Sequence, residues 1–157
     1  MKEFNIEDRV AQAVTYFQSG YNCAQSVFLA YSDLFDIDMA MAEKMSVSFG
    51  GGLGRMREVC GTVSAMSMLA GFRYPVLDTL DRDARKQNYQ IVQKMAELFK
   101  EKNGAIVCRN LLRNIKTDNS PMPSDRTAEY YKKRPCARIV ADAAQIAGRM
   151  LKGELEE

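Results

Sequence analysis

Apolar residues recur along this chain at intervals of three and four, the spacing that places side chains on one face of an α-helix. In the first such segment Asn5 is a typical N-cap, and Gly20 ends the pattern. The same spacing predicts seven further helices. Of the first three, one starts at Asn22, one runs from Asp38 to the glycine run, and one carries Val59, Val63, Met66 and Ala70. A long helix from Thr79 to Lys102 has Leu80 on its apolar stripe and Gly104 as its cap, and a short helix holds Val107, Leu111 and Ile115; of the last two, one runs towards Lys133 and one follows Pro135. No segment alternates apolar and polar residues as a half-buried strand does. The pattern predicts an all-α protein, a single compact multi-helix bundle.

Length and composition narrow the class of protein. The 157 residues, 46% of them hydrophobic and 27% charged, fit one globular domain over residues 1–157. A net charge of +2, from 22 basic and 20 acidic residues, argues against a nucleic-acid partner. No apolar run approaches the ~20 residues that a membrane helix needs, and the charged N-terminal segment does not resemble a secretory signal. We therefore expect a cytoplasmic protein without membrane insertion.

The absence of histidine restricts the chemistry that the chain can support. It excludes Ser-His and Cys-His nucleophile pairs, the commonest general base and most zinc enzyme sites. Thiols, carboxylates, lysines, tyrosines or a borrowed cofactor remain, and the sequence leaves open whether the protein is an enzyme.

Each of the cysteines, Cys23, Cys60, Cys108 and Cys136, falls near the predicted start of a helix. Backbone N–H groups and the helix dipole favour a thiolate there, and nearby arginines act in the same direction. No two cysteines are close enough in sequence to form a CxxC motif, so any pairing must come from the tertiary fold.

Three interpretations of the cysteines stay open. The first is a thiol-based redox or electron-transfer protein with an unidentified redox partner, and for it the sequence does not identify a cofactor. In the second, the four thiolates bind one zinc ion, Cu(I) or an iron–sulfur cluster. In the third, a helical interaction protein carries inert buried thiols.

The stretch FGGGLGRMREVC combines a flexible loop with two cations just before a cysteine. It is no Walker motif, because no Lys-Ser/Thr follows the glycines, and it lacks the strand of a dinucleotide fingerprint. A tight connection with close helix approach is the favoured explanation of the glycines. An anion- or ligand-binding role remains a candidate for Gly50, Gly51, Gly52, Gly54, Arg55 and Arg57.

Four segments, GYNCAQSVFLAY, FGGGLGRMREVCGTVSA, VCRNLL and RPCARIVADAA, together resemble the C_GCAxxG_C_C family of redox-active proteins. The resemblance covers residues 15–147 and includes the cysteines in the family's order. It implies a small domain with redox-active thiols, often encoded near transporter genes. Family members generally carry a Cys-Gly-Ala-x-x-Gly segment after the glycine loop, from which Thr62 and Ala65 depart here.

The leading hypothesis places all four cysteines in one pocket beside the glycine loop. Cys60 is expected to be the most accessible and reactive thiolate, since the loop and its arginines precede it. Cys23 would resolve a sulfenic acid or close a disulfide. The sequence leaves a homodimer open.

Overall fold

The computed structural model describes residues 1–156, and within this range it contains α-helices and no β-strand, as predicted. No helix in these residues combines the length and apolar character needed to cross a membrane. The α-helices are α1 (Ile6–Gln18), α2 (Cys23–Tyr31), α3 (Met39–Ser46), α4 (Gly61–Arg73), α5 (Arg82–Asn103), α6 (Cys108–Leu111), α7 (Ala128–Lys133) and α8 (Cys136–Leu151). Short 3₁₀ turns, Ser32–Phe35 and Val47–Phe49, follow α2 and α3.

Side-chain caps fix where several helices begin. Asn5 accepts a hydrogen bond from the N–H of Asp8, and Asp38 does the same for Met41. Asn22 and Gln25 form a reciprocal capping box at the start of α2. These starts confirm the predicted ones, because the cap residues recognised in the sequence make the expected bonds.

The core lies where α1, α2, α4 and α8 pack on one another, with α5 against α4 and α8. Large side chains fill it, among them Phe28, Met66, Phe99 and Ile146, each nearly inaccessible to solvent. The buried Tyr31 hydroxyl donates to the Ala144 carbonyl and so ties α2 to α8. This packing holds the starts of α2, α4 and α8 in a fixed relation to one another.

Several helix boundaries differ from the prediction. The short helix α6 covers only Cys108–Leu111, and the Val107 and Ile115 that were expected in it lie outside, because the chain turns after Leu111. The long helix begins at Arg82 because Asp81 caps it, which leaves Leu80 outside the helix and 84% exposed. Val59 likewise precedes α4 and forms an isolated antiparallel bridge with Val107. Helical spacing included Leu80 and Val59 because periodicity alone does not detect a competing cap or a long-range backbone bond.

Candidate thiol site

Every cysteine lies at the first turn of a helix, as the sequence predicted. Cys23, Cys108 and Cys136 are the first residues of α2, α6 and α8, and Cys60 is the N-cap of α4. The thiols therefore sit beside backbone N–H groups that have no partner within their own helix. All four are free, with no disulfide among them.

The four cysteines line one cavity of about 400 Å³. Cys60 and Cys108 are buried, whereas Cys23 and Cys136 are half-buried and nearer to solvent. The cavity therefore brings together residues that are far apart in the sequence. Its other walls are formed by Phe17, Asn22, Val47, Gly50, Gly51, Gly54, Arg55, Arg57, Leu111, Leu112, Pro121, Pro123, Ser124, Arg126, Tyr130, Arg134 and Ile139.

The glycine loop follows α3 and turns through the left-handed backbone region. Gly51 has φ +65°, and the same conformation at Leu53, Arg55 and Arg57 is unusual for residues with a Cβ, costing about 1–2 kcal/mol each. Backbone bonds such as Arg57 N to Gly51 O, 3.1 Å, hold the turn in place. This turn directs the Gly51 N–H at the Cys23 sulfur.

A short antiparallel contact brings Cys60 and Cys108 to the same wall. The Cys60 N–H donates to the Ile106 carbonyl at 2.8 Å, and the Cys108 N–H donates to the Glu58 carbonyl at 2.6 Å. Gly52 packs behind this contact, where a Cβ would lie 2.7 Å from Cys108 Cβ. Of the glycines considered for ligand binding, Gly52 thus supports a cysteine, while Gly50, Gly51 and Gly54 border the cavity.

The pKa of Cys23 is lowered from its ordinary value of 9.0 to about 6. Hydrogen bonding with the Cys60 thiol is the largest cause, and the backbone N–H groups of Gly51, Ala24 and Gly61 also lower the pKa, against the opposing effect of burial. A lowered pKa favours the thiolate, which is the nucleophilic form of a cysteine.

Burial and the direction of its pKa argue against Cys60 as the most accessible and reactive thiolate. Cys60 is only 6% exposed, and its pKa is raised well above the ordinary value because it donates to Cys23, is buried and faces the Cys23 charge. The Thr62 hydroxyl, 3.1 Å from the Cys60 sulfur, offsets only part of this effect. The loop before Cys60 instead supports the thiolate of Cys23.

Cys108 and Cys136 are protonated at neutral pH. Burial is the largest cause at both, and it raises the pKa of Cys136 to about 12. Arg57, with Nη1 3.9 Å from the Cys108 sulfur, lowers the pKa of Cys108 without overcoming burial. The cavity thus combines one cysteine whose pKa is lowered with three whose pKa values are raised.

Within residues 1–156 no three His, Cys, Asp or Glu side chains are grouped so that they could hold a metal ion. Four cysteines share a cavity without converging on one ligand position. The four-thiolate interpretation gains no support from this geometry.

The segment 116–126 forms the outer wall of the cavity, which the sequence did not indicate. The Arg55 guanidinium binds it through the carbonyls of Ser120 and Met122 and through Ser124 Oγ at 3.0 Å. Arg126, at its end, donates to the Phe17 carbonyl at 3.1 Å and stacks on neighbouring aromatic rings. Of the arginines that line the cavity, Arg55 and Arg57 were recognised in the sequence as part of the glycine loop, whereas nothing in the sequence indicated Arg126.

Comparison with known proteins identifies a family for this chain. Neither a search of curated proteins nor one of solved structures gives a match. A family model described as "Putative redox-active protein (C_GCAxxG_C_C)" matches residues 21–150, a range that includes all four cysteines and most of the chain. The chain belongs to this C_GCAxxG_C_C family of redox-active proteins.

Proposed function

We propose that the protein performs thiol–disulfide redox chemistry, with Cys23 as the nucleophile and Cys60 as the resolving cysteine. The observation that carries the proposal is the meeting of Cys23 and Cys60 on one cavity wall, where the Cys23 sulfur lies against the start of α4, 2.8 Å from the position of a Cβ at Gly61. The lowered pKa of Cys23 and the raised pKa of Cys60 support the same assignment. This reverses the roles expected from the sequence.

The first step requires a thiolate that can reach a substrate. Cys23 meets both requirements, because its pKa of about 6 leaves it ionised at neutral pH and its side chain is half-buried on the cavity wall. Attack on an oxidant converts this sulfur into one half of a mixed disulfide or into a sulfenic acid.

The second step requires a neighbouring thiol that does not itself react with the oxidant in the first step. Cys60 is buried and protonated, so it does not compete for the oxidant. Once the Cys23 charge is lost, the main cause of the raised Cys60 pKa is removed as well, and Cys60 becomes easier to deprotonate. Its sulfur then attacks Cys23 and closes an intramolecular disulfide, while the S–S bond of the mixed disulfide breaks and the substrate thiolate leaves, or the S–O bond of the sulfenic acid breaks and water leaves.

Counting alkylatable cysteines by intact mass tests this proposal. Protein purified without oxygen is compared with protein briefly treated with peroxide, each denatured in an alkylating reagent. We expect oxidation to remove two alkylation sites, a dithiol reductant to restore them, and peptide mapping to join Cys23 to Cys60.

Single substitutions provide the controls. In Cys60→Ser, oxidation should modify Cys23 without forming a disulfide within the chain. In Cys108→Ser, oxidation should still remove two alkylation sites. Four alkylatable thiols after oxidation, or a bridge that joins Cys108 to Cys136, would contradict the proposal.

A further inference from the structure

The thiol cavity is surrounded by positive charge. Arg55, Arg57, Arg126 and Arg134 line it, and no aspartate or glutamate of the described residues does. The rest of the wall is mainly apolar, with side chains such as Leu111 and Ile139. Its volume of about 400 Å³ is typical of a site for a small organic molecule.

Arg57 has a hydrogen-bonding group without an acceptor. Its side chain is 4% exposed, Nε donates to the Asp118 carbonyl at 3.1 Å, and Nη1 lies 3.9 Å from the Cys108 sulfur. Nη2 is buried and has no partner among residues 1–156. A buried charged donor left unpaired is costly, so this nitrogen marks a position for an acceptor from outside the chain.

Arg134 offers a second free cation at the same cavity. Within the described chain its guanidinium contacts the ring of Tyr130, 4.6 Å from the centroid, and makes no hydrogen bond or ion pair. Arg55 and Arg126, by contrast, are engaged with the segment 116–126 and with backbone carbonyls. Of the four arginines that line the cavity, Arg57 and Arg134 are therefore the two with N–H groups available to a ligand.

We propose that Arg57 and Arg134 bind the carboxylate of a small organic disulfide, and so select an anionic substrate for the Cys23–Cys60 pair. This inference rests on the proposed function. The apolar wall accommodates the organic part of the molecule, and the arginines hold its charge within the cavity that Cys23 also lines.

The reaction balances as a two-electron exchange. The Cys23 thiolate attacks one sulfur of the substrate R–S–S–R, forms Cys23–S–S–R and releases R–S⁻. Cys60 then loses its proton to solvent or to a released thiolate, and its sulfur attacks Cys23. The Cys23–Cys60 disulfide forms, the second R–S⁻ leaves, and the substrate is reduced to two thiols while the protein dithiol is oxidised.

A pair of chromogenic aromatic disulfides tests the charge selection. Dithiobis(nitrobenzoate) carries a carboxylate on each half, whereas dithiodipyridine is uncharged at neutral pH. We take the rate constant for dithiobis(nitrobenzoate) divided by that for dithiodipyridine, measured with the protein. Dividing this value by the same ratio for a small free thiol reports charge selection independently of thiol reactivity. We expect this normalised ratio to exceed one and to fall about tenfold in Arg134→Gln.

Arg82→Gln removes the same charge from an exposed position at the start of α5 and should leave the ratio unchanged. Added salt should lower the ratio in the unsubstituted protein, because it screens the arginines, and this measurement requires no variant to fold. If both reagents still form the Cys23–Cys60 disulfide but neither Arg134→Gln nor salt changes the normalised ratio, the anion proposal alone is overturned. If neither reagent forms that disulfide, the proposed function itself fails.

Discussion

At the residue scale, Gly61 determines whether the Cys23 sulfur has room. A Cβ at position 61 would lie 2.8 Å from Cys23 Sγ, 2.6 Å from the Phe49 carbonyl oxygen and 3.0 Å from Ala24 Cβ. The Gly61 N–H also donates to that sulfur. The absence of a side chain at this position thus serves packing and charge stabilisation together.

We therefore predict that Gly61→Ala lowers the free energy of unfolding by about 1–3 kcal/mol, since overpacking forces neighbouring atoms to move. It should also slow alkylation of Cys23, because the thiolate moves away from its donors. Gly71→Ala is the matched control: the residue is in the same helix, and its added Cβ meets nothing within 4 Å. There we expect no loss of stability in urea unfolding. Equal destabilisation by both substitutions would contradict this account of Gly61.

The sequence revealed which residues carry the chemistry but not which sulfur is ionised. Four cysteines at helix starts were recognisable from the apolar spacing that follows them, and Cys23 also from the N-cap residue Asn22 before it. The Cys23 pKa depends instead on the Gly51 amide and the Cys60 thiol, which reach it only through the tertiary fold. The sequence favoured Cys60 as the reactive thiolate, because the glycine loop and its arginines directly precede it and a sequence shows only which residues are neighbours along the chain.

At the element scale, the capping box of α2 positions the reactive thiol. Asn22 accepts from the Gln25 N–H at 2.9 Å, and its Nδ2 donates to the Val47 carbonyl at 2.9 Å. The first contact fixes the start of the helix, and the second ties that start to the segment before the glycine loop. Both the Ala24 and the Gly51 donors of Cys23 depend on this junction.

Asn22→Ala and Asn5→Ala each remove an N-cap, and we expect each to cost about 1 kcal/mol of stability. Only Asn22→Ala should also slow alkylation of Cys23 at neutral pH, since Asn5 caps a helix that holds no cysteine. Thermal unfolding and mass-resolved alkylation measure the two effects separately. A change in Cys23 reactivity in Asn5→Ala as large as in Asn22→Ala would show that the reactivity follows general stability.

Helix positions were more predictable than the contacts between their ends. Caps such as Asn22, Asp38 and Gly104 are local signals, and the structure uses all three. The pairing of Val59 with Val107 is a contact between residues distant in the chain, and nothing in either segment alone specifies it. For that reason the sequence supported the convergence of the cysteines only as a hypothesis, and the three-dimensional structure was needed to show that they line one cavity.

At the scale of the whole molecule, the thiols link stability to pH. Between about pH 6 and the ordinary value of 9.0, the unfolded chain keeps a proton on Cys23 that the folded protein has released. Stability rises with pH where the unfolded state binds more protons, so the Cys23 contribution is lost as the pH falls through about 6. Above 9.0 the sign reverses for Cys60, Cys108 and Cys136, whose raised pKa values keep protons on the folded protein.

We predict that the difference in Tm between the reduced protein and Cys23→Ser grows by a few degrees as the pH rises from about 6 towards 9. The matched control is Cys136→Ser, whose difference from the unsubstituted protein should change only above pH 9, because burial raises the pKa of Cys136 to about 12. Thermal unfolding under reducing conditions measures both series. A difference for Cys23→Ser that does not vary over this pH range would contradict the assignment of the thiolate.

Site-resolved alkylation against pH tests the central claim most directly. The reduced, folded protein is treated briefly with iodoacetamide at a series of pH values, and peptide mass spectrometry gives a rate for each cysteine. The account predicts that Cys23 reacts first, with a midpoint near pH 6, and that Cys60, Cys108 and Cys136 stay unreactive at neutral pH. If Cys60 reacts first, or if Cys23 titrates near 9.0, Cys23 is not the stabilised thiolate and the proposed roles of the two cysteines are wrong.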